Sequence, residues 1–199
     1  MEKKYVGILA SCSEEIDASY GSTARGIGSV LARNDYNLIF GGSSTGGTGA
    51  IYEEFSNRNK DVYLVTTEKY ADDAKNMPKA KSIICETTFD LKKEIFENAD
   101  LIVVLPGGIG TLSELLSFIE ERRSNNKTVP IEIYDDSEYY LTFIELLKIL
   151  VVKKFVSADI FEEFNISHNL DEFLDHINKY REKERIIAYE KWFNNGKIS

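Results

Sequence analysis

Cysteine, proline and histidine are scarce in this 199-residue chain, which contains two cysteines, three prolines and two histidines. The cysteines, Cys12 and Cys85, stand in apolar surroundings, and we expect both to be buried free thiols. Neither the cysteines nor the histidines have the spacing of a zinc site, so no metal is expected. With so few prolines, a long disordered linker is not expected either.

The chain also lacks a long apolar run and an excess of basic charge. No apolar stretch approaches the ~20 residues that a membrane span requires. The N-terminus leads directly into an apolar strand without the features of a signal peptide, so a cytoplasmic protein is expected. The net charge of −9 disfavours binding to nucleic acid or to an anionic membrane. A small anionic ligand remains compatible with this charge, because backbone N–H groups at helix N-termini can hold a phosphate.

Predicted strands and helices alternate along the chain. Residues 101–105 are apolar throughout, as expected for a central parallel strand buried on both faces. Other strands are predicted at residues 5–10, 37–40, 62–65, 82–85 and 129–134. Helices are predicted at about residues 20–31, 50–59, 88–98 (with Thr88 as N-cap), 111–123, 138–151, 158–164 and 170–180, with a loop at 68–81.

This order predicts an α/β fold, a doubly wound parallel sheet with helices on both faces in three layers. The length suits a single domain over residues 1–199, with a helical C-terminal extension from about residue 158. The charge-rich residues 179–185, followed by Trp192 and Phe193, are compatible with a solvated helix or with a surface that packs on a partner subunit.

Two glycine-rich segments, residues 41–49 and 106–111, leave predicted strands and open predicted helices. Ligands of a doubly wound sheet lie beyond the carboxyl ends of its strands, where these segments can direct N–H groups at one anion. Glycine allows the backbone to approach phosphate oxygens closely. One such segment alone could be a tight turn without a ligand, and the first does not match the dinucleotide fingerprint or a P-loop. Two on one chain favour a phosphate site.

Glu114 follows the second glycine segment and has two interpretations. Thr111 and Glu114 have the spacing of a capping box, in which Glu114 would only bond a backbone N–H, and spacing alone favours this interpretation. Alternatively, the carboxylate points into the pocket, where it stabilises positive charge at a sugar carbon or transfers a proton. The Thr111 hydroxyl can bond a phosphate in either case.

The second segment resembles the signature of the Lonely Guy (LOG) family, also called lysine-decarboxylase-like. The residues that carry the resemblance are Pro106-Gly107-Gly108-Ile109-Gly110-Thr111-Leu112-Ser113-Glu114. Residues 41–49 are similar to the family's other glycine loop, with Ser43 where a third glycine is usual, and Ser11 and Tyr20 stand at its early Ser and Tyr. The resemblance covers about residues 5–150 and includes the order of the elements.

This resemblance implies a Rossmann-like fold and usually a homodimer. It also implies a phosphoribohydrolase, which splits a nucleoside 5′-monophosphate into a free base and ribose 5-phosphate without a cofactor. Glu114 would be the catalytic carboxylate. The candidate ligand-binding residues are Ser11, Gly42, Ser43, Gly46, Gly49, Lys92, Gly107, Gly108, Ile109, Gly110 and Thr111.

One position departs from the family pattern. The family has an Arg-Lys pair before the signature strand, and counting back from Pro106 places the arginine position at Leu91 and the lysine at Lys92. A leucine cannot bind a phosphate or a ribose hydroxyl. The cations that could take over this role are Lys92, Lys93, Arg122 and Arg123, the two arginines across a dimer.

The sequence leaves two functional hypotheses. Glu114 favours an N-glycosidic hydrolase, whereas Leu91 favours a nucleotide-binding protein that has lost turnover. A Rossmann dehydrogenase is disfavoured, because no acidic residue ends the second strand to bind a ribose.

The helix after the second glycine segment is apolar around more than one face, which predicts a subunit contact and agrees with the expected homodimer. Its apolar residues are Leu112, Leu115, Leu116, Phe118 and Ile119.

Overall fold

A computed structural model describes residues 3–124 and 129–195, with side chains described as far as residue 183. Seven parallel strands form one sheet in the order β4-β3-β2-β1-β5-β6-β7. The strands are β1 (Lys4–Leu9), β2 (Tyr36–Phe40), β3 (Val62–Thr67), β4 (Lys81–Cys85), β5 (Leu101–Val104), β6 (Ile131–Tyr134) and β7 (Asn165–Ser167). The helices are α1 (Ala18–Arg33), α2 (Gly46–Asn57), α3 (Thr88–Asn98), α4 (Ile109–Ser124), α5 (Leu141–Val152) and α6 (Leu170–Asn195).

The sheet is the middle of three layers. On one face, α1, α2 and α6 bury apolar side chains such as Leu31, Phe55 and Phe173. On the other face, α3, α4 and α5 do so with side chains such as Ile95 and Leu115. The central strand β5 is buried along its whole length, as its apolar sequence predicts. The predicted α/β class and the doubly wound parallel sheet are confirmed.

The C-terminal region differs from the predicted helical extension. It contributes the edge strand β7, which pairs with β6 through Ile133 and Ile166. A 3₁₀ segment, Ala158–Glu162, precedes this strand. β7 has only three residues, one of them exposed, so it lacks the alternation that identifies a strand in the sequence. Helix α6 continues beyond the predicted end at residue 180.

Two helices begin at residues other than the predicted ones. Thr87, not Thr88, is the N-cap of α3: its hydroxyl accepts a hydrogen bond from the Asp90 N–H at 3.2 Å, and the Asp90 carboxylate accepts one from the Thr87 N–H at 3.1 Å. This capping box fixes the start of α3. Helix α2 begins at Gly46, so the second half of the first glycine segment is helical.

The cysteines are less buried than predicted. Cys12 is exposed and Cys85 is half-buried. Cys12 lies between two serines in the loop that follows β1, where the chain leaves the core, so the apolar residues of β1 do not cover it.

Helix α4 buries more than one apolar face within its own chain. Leu115, Phe118 and Ile119 are buried, because α4 packs on the sheet and on α3 at once, with the Phe96 and Phe118 rings 5.2 Å apart. Leu116 is 49% exposed. Most of the apolar surplus is therefore accounted for without a partner, and the homodimer stays a prediction.

Helix α5 carries several exposed apolar side chains, among them Leu146 and Ile149. Helix α5 has only 12 residues, which is too short to span a membrane. Nowhere in residues 3–124 and 129–195 is there a helix with both the length and the apolar character needed to cross a membrane.

A buried polar cluster attaches α6 to the sheet. Glu132 of β6 is fully buried and accepts a hydrogen bond from the Tyr180 hydroxyl at 2.8 Å. The same carboxylate lies 2.9 Å from Nδ1 of His176 and also bonds the Ser167 hydroxyl. A buried carboxylate needs such partners, because an unpaired one is costly in an apolar interior. The C-terminal helix is therefore part of the domain core.

Replacing Phe173 by alanine tests whether α6 is part of the domain core. Phe173 is fully buried, and its ring packs edge-on against Tyr134 with the centroids 5.7 Å apart. We expect Phe173→Ala to lower the free energy of unfolding by about 3–5 kcal/mol, measured by chemical denaturation. The control is Phe155→Ala, at a side chain that is 81% exposed, which should change stability little. Similar losses in both variants would contradict this packing of α6.

Candidate functional site

Three neighbouring strands end together at one edge of the sheet. β1 pairs with β2 on one side and with β5 on the other, all in parallel. The segments that follow them begin at Ala10, Gly41 and Leu105, so the Ser11 region and both glycine segments lie at this edge. The chain proceeds from β1 outwards in both directions, which makes the gap between β1 and β5 a topological switch point, the usual ligand position in such folds.

The first glycine segment is packed tightly against the loop after β1. The Gly47 and Thr48 N–H groups donate to the Ser11 carbonyl at 2.8 and 3.2 Å. Gly46 has a φ of +58°, and a Cβ there would lie 2.7–2.8 Å from backbone atoms of residues 11–13. The N-terminal N–H groups of α2 are thus partly satisfied by Ser11 inside the protein.

Contacts inside the first segment explain its other small residues. The Ser43 N–H donates to the Thr48 hydroxyl at 3.3 Å, and the Ser43 hydroxyl lies 2.8 Å from that of Thr45. A Cβ on Gly42 would lie 2.8 Å from Thr48, and one on Gly49 would overlap Ser44. Packing alone thus requires glycine at positions 42, 46 and 49. The ligand contacts predicted for Ser11, Gly42, Ser43, Gly46 and Gly49 stay predictions.

The second glycine segment is exposed to solvent at residues 108–110. A Cβ on Gly107 would overlap the Thr111 side chain, whereas one on Gly108 or Gly110 would meet nothing within 4 Å. Ile109 is 85% exposed. The first turn of a helix has N–H groups without intrahelical acceptors and the positive end of the dipole, and at the start of α4 no other segment packs against Gly108 or Gly110, unlike at the start of α2. The anion contacts predicted for residues 107–111 stay predictions.

The capping-box interpretation of Glu114 is wrong. Helix α4 begins at Ile109, and the Leu112 N–H donates to the Gly108 carbonyl at 3.1 Å. Thr111 therefore lies inside the helix, where it cannot be the N-cap partner of Glu114.

Glu114 lies in an apolar corner beside the start of the first glycine segment. A Cβ placed on Gly41 would lie 2.9 Å from Cδ2 of Leu91, 3.3 Å from Cδ1 of Ile95 and 3.5 Å from Oε1 of Glu114. These groups therefore converge on the same point. Burial raises the pKa of Glu114 to about 7, and the nearby charge of Lys92 only partly opposes this. A carboxyl group with a shifted pKa in a cleft is a candidate catalytic group.

Lys92 is turned towards α4. Its Nζ lies 2.7 Å from the Ser113 hydroxyl and 3.3 Å from that of Ser117. Lys93 forms an ion pair with Glu97 at 3.9 Å. Each lysine therefore has polar partners on α3 or α4. The charge of Lys92 lowers the pKa of Glu114, against the larger effect of burial.

Arg122 and Arg123 lie at the opposite end of α4. Thirteen residues separate Ile109 from Arg122, about 20 Å along a helix. Arg122 pairs with Glu163 at 3.0 Å, and Arg123 lies 3.6 Å from Glu120. Within one chain, neither arginine can take the place of a group at Leu91.

Sequence reasoning missed Tyr139, which contacts the second glycine segment. It lies between β6 and α5, is 42% exposed, and its hydroxyl donates to the Gly107 carbonyl at 2.6 Å. Its ring lies edge-on to that of Tyr20, with the centroids 6.1 Å apart. The only signal in the sequence was a pair of tyrosines shortly after a strand.

A family model described as "Possible lysine decarboxylase" matches residues 46–177. The chain belongs to this family. It is 24% identical over 202 residues to the cytokinin riboside 5′-monophosphate phosphoribohydrolase LOG1 of Arabidopsis thaliana, covering 96% of this chain and 91% of the relative. It is 24% identical over 156 residues to a phosphoribohydrolase of that name from Rhodococcoides fascians, covering 77% and 79%. The resemblance to the LOG family is confirmed.

Solved structures share the fold at lower identity. The molybdenum cofactor binding protein of Rippkaea orientalis superimposes with a TM-score of 0.68 at 16% identity, covering 90% of this chain and 98% of that one. The molybdenum cofactor carrier protein of Chlamydomonas reinhardtii gives a TM-score of 0.65 at 12% identity, covering 90% and 98%. These likenesses concern the fold alone.

Gly46→Ala tests whether the first glycine segment serves to pack the chain against the loop after β1. The positive φ and the approach to the Ser11 carbonyl predict a loss of about 1–3 kcal/mol in the free energy of unfolding, measured by chemical denaturation. The control is Gly26→Ala on α1, where a Cβ meets nothing within 4 Å. Alanine there should stabilise the helix by roughly 0.5–1 kcal/mol. A neutral Gly46→Ala variant would refute the packing role.

Proposed function

We propose that the chain hydrolyses the N-glycosidic bond of a nucleoside 5′-monophosphate, releasing the base and ribose 5-phosphate. The observation that carries the proposal is the placement of Glu114 in the first half of α4, with its carboxyl group in an apolar corner beside Gly41, Leu91 and Ile95. The relatives' names, which specify cytokinin riboside 5′-monophosphate phosphoribohydrolases, support the same reaction.

The phosphate and the catalytic group would be held by successive turns of one helix. The phosphate accepts hydrogen bonds from N–H groups of the loop at residues 107–110 and from the Thr111 hydroxyl. Glu114 follows one turn later, about 5 Å along the helix axis. A ribose ring that spans this distance places its anomeric carbon near the Glu114 carboxyl group.

Glu114 then stabilises the oxocarbenium-like transition state. Because burial raises its pKa to about 7, only about half of the Glu114 side chains are ionised at neutral pH, and the apolar wall of Leu91 and Ile95 strengthens the attraction of the ionised form for positive charge. The same wall supplies no hydrogen bond to the ribose hydroxyls, which is the main difference from a site with arginine at this position.

Binding without turnover is the second candidate function, and Leu91 favours it. The side chain lies within the site and replaces the group that the family resemblance assigns to contact the ligand. The titles of two solved structures with this fold name a molybdenum cofactor carrier and a molybdenum cofactor binding protein. A protein that binds its ligand without turnover therefore fits the same architecture.

Phosphate recognition predicts a difference between two matched ligands. Adenosine 5′-monophosphate should bind more tightly than adenosine in calorimetry, because only the former engages the start of α4. Gly108→Val should remove this difference by filling the open space in front of the loop. Gly26→Val is the control, since its side chain also enters open space but on α1. Equal affinities of the unaltered protein for the two ligands would refute phosphate binding.

Glu114→Gln separates catalysis from folding. The variant should keep the fold and most of the ligand affinity. It should lose most of the release of free base, which is measured by chromatography. If the unaltered protein is too slow to measure, Glu114→Gln is compared with glutamate in the Leu91→Arg background. Unchanged turnover would exclude the catalytic role.

The same variant tests the raised pKa of Glu114 through the pH dependence of protein stability. Folded Glu114 holds its proton to about pH 7, against an ordinary pKa of 4.5, so the unaltered protein loses stability as pH rises between these values. Glutamine does not titrate. The stability of Glu114→Gln relative to the unaltered protein should therefore increase by about 1–3 kcal/mol from pH 4.5 to 7.5. A constant difference would contradict the raised pKa.

Leu91→Arg tests the departure from the family pattern. Without an arginine there, we expect slow or undetectable hydrolysis of adenosine 5′-monophosphate together with binding. The new guanidinium should raise the rate by about 10–100-fold, the equivalent of one charge-assisted contact in the transition state. Leu170→Arg, at an exposed position on α6, is the control for added charge. Rapid hydrolysis by the unaltered protein would show that Leu91 is not limiting.

A further inference from the structure

Two tyrosine hydroxyls bond the backbone on either side of Pro106. The Tyr139 hydroxyl donates to the Gly107 carbonyl at 2.6 Å, and the Tyr140 hydroxyl donates to the Leu105 carbonyl at 2.7 Å. Both acceptors belong to the segment that connects β5 to α4. The second glycine segment is therefore held from the side by the chain after β6.

The tyrosines are themselves fixed to the sheet. Asp135 directly follows β6 and is buried, and its two carboxylate oxygens accept hydrogen bonds from the Tyr139 and Tyr140 N–H groups at 2.7 and 3.0 Å. The Asp135 N–H donates to the Ser167 carbonyl at 2.9 Å. A continuous series of hydrogen bonds thus leads from the sheet to the Gly107 carbonyl.

Holding the Gly107 carbonyl also determines the direction of the next N–H group. Residues 107 and 108 share one planar peptide unit, and the described chain contains no cis peptide bond. In a trans unit the C=O and N–H groups point in opposite directions, so the Gly108 N–H points away from Tyr139. Among the described residues none accepts a hydrogen bond from this N–H, and the space around Gly108 is open.

We propose that Tyr139 is a positioning residue for anion binding, whose hydroxyl fixes the Gly107–Gly108 peptide so that the Gly108 N–H faces the phosphate of the ligand. The proposal rests on the phosphate binding proposed above. Tyr139 acts through the loop backbone, and its ring contributes the same wall to the site whether or not the hydroxyl is present. The consequence is a preorganised donor, which costs no reorganisation when the phosphate arrives.

Tyr139→Phe tests the proposal because it removes only the hydroxyl. We expect the affinity for adenosine 5′-monophosphate to fall by about tenfold in calorimetry, the equivalent of one misaligned charge-assisted hydrogen bond, with the affinity for adenosine unchanged. Tyr180→Phe is the matched control: it removes a tyrosine hydroxyl bonded to Glu132, away from the loop. It should leave the preference for the monophosphate intact even where it lowers the melting temperature.

A second measurement does not depend on any ligand. In Tyr139→Phe the ¹³C resonance of the Gly107 carbonyl should shift upfield and the Gly108 amide resonance should move, because the peptide loses its anchor. These resonances should not change in Tyr180→Phe.

The two possible failures are distinguishable. If the unaltered protein binds the monophosphate and the nucleoside equally, the proposed function fails and the role of Tyr139 fails with it. If the unaltered protein prefers the monophosphate and Tyr139→Phe keeps the full preference, only the role of Tyr139 is overturned. An equal loss of affinity for both ligands would also overturn it, since that pattern indicates a general structural defect.

Discussion

The pairing of β1 with β2 and β5 determines where everything else in the site can lie. These three parallel strands end at one edge, so segments that are far apart in sequence, beginning at Ala10, Gly41 and Leu105, become neighbours. The helix that follows each strand then begins at this edge as well. Glu114 reaches the Gly41 backbone only because α4 starts from the strand next to β1.

The two glycine segments look alike in the sequence but differ in physical role. In the first, glycine permits close backbone packing, and Ser11 accepts hydrogen bonds from the start of α2. In the second, Gly108 and Gly110 leave empty space in front of α4. A glycine-rich pattern therefore indicates close approach of something to the backbone, and only the structure tells whether that is another part of the chain or a ligand.

The fold was largely predictable, because buried parallel strands such as β5 are continuous apolar runs. The position of Leu91 in the site also followed from counting along the sequence. The three-residue β7 was missed, since so short a strand has no period. The role of Tyr139 was missed for another reason: its contact with Gly107 spans 32 residues, and no local pattern reports such a pairing. The first turn of α4 was misplaced because glycine is a weak helix signal.

The arrangement at Ser11 has a kinetic consequence. Because the start of α2 is partly satisfied internally, positive potential at this edge of the sheet comes from the backbone at the start of α4, which acts over only a few ångströms, and from the nearby charge of Lys92. The chain as a whole carries a net charge of −9, and its longer-range field repels an approaching phosphate. Dissolved salt screens this repulsion. Association with an anionic ligand should thus become faster as ionic strength rises, the opposite of what is seen when a basic surface attracts phosphate.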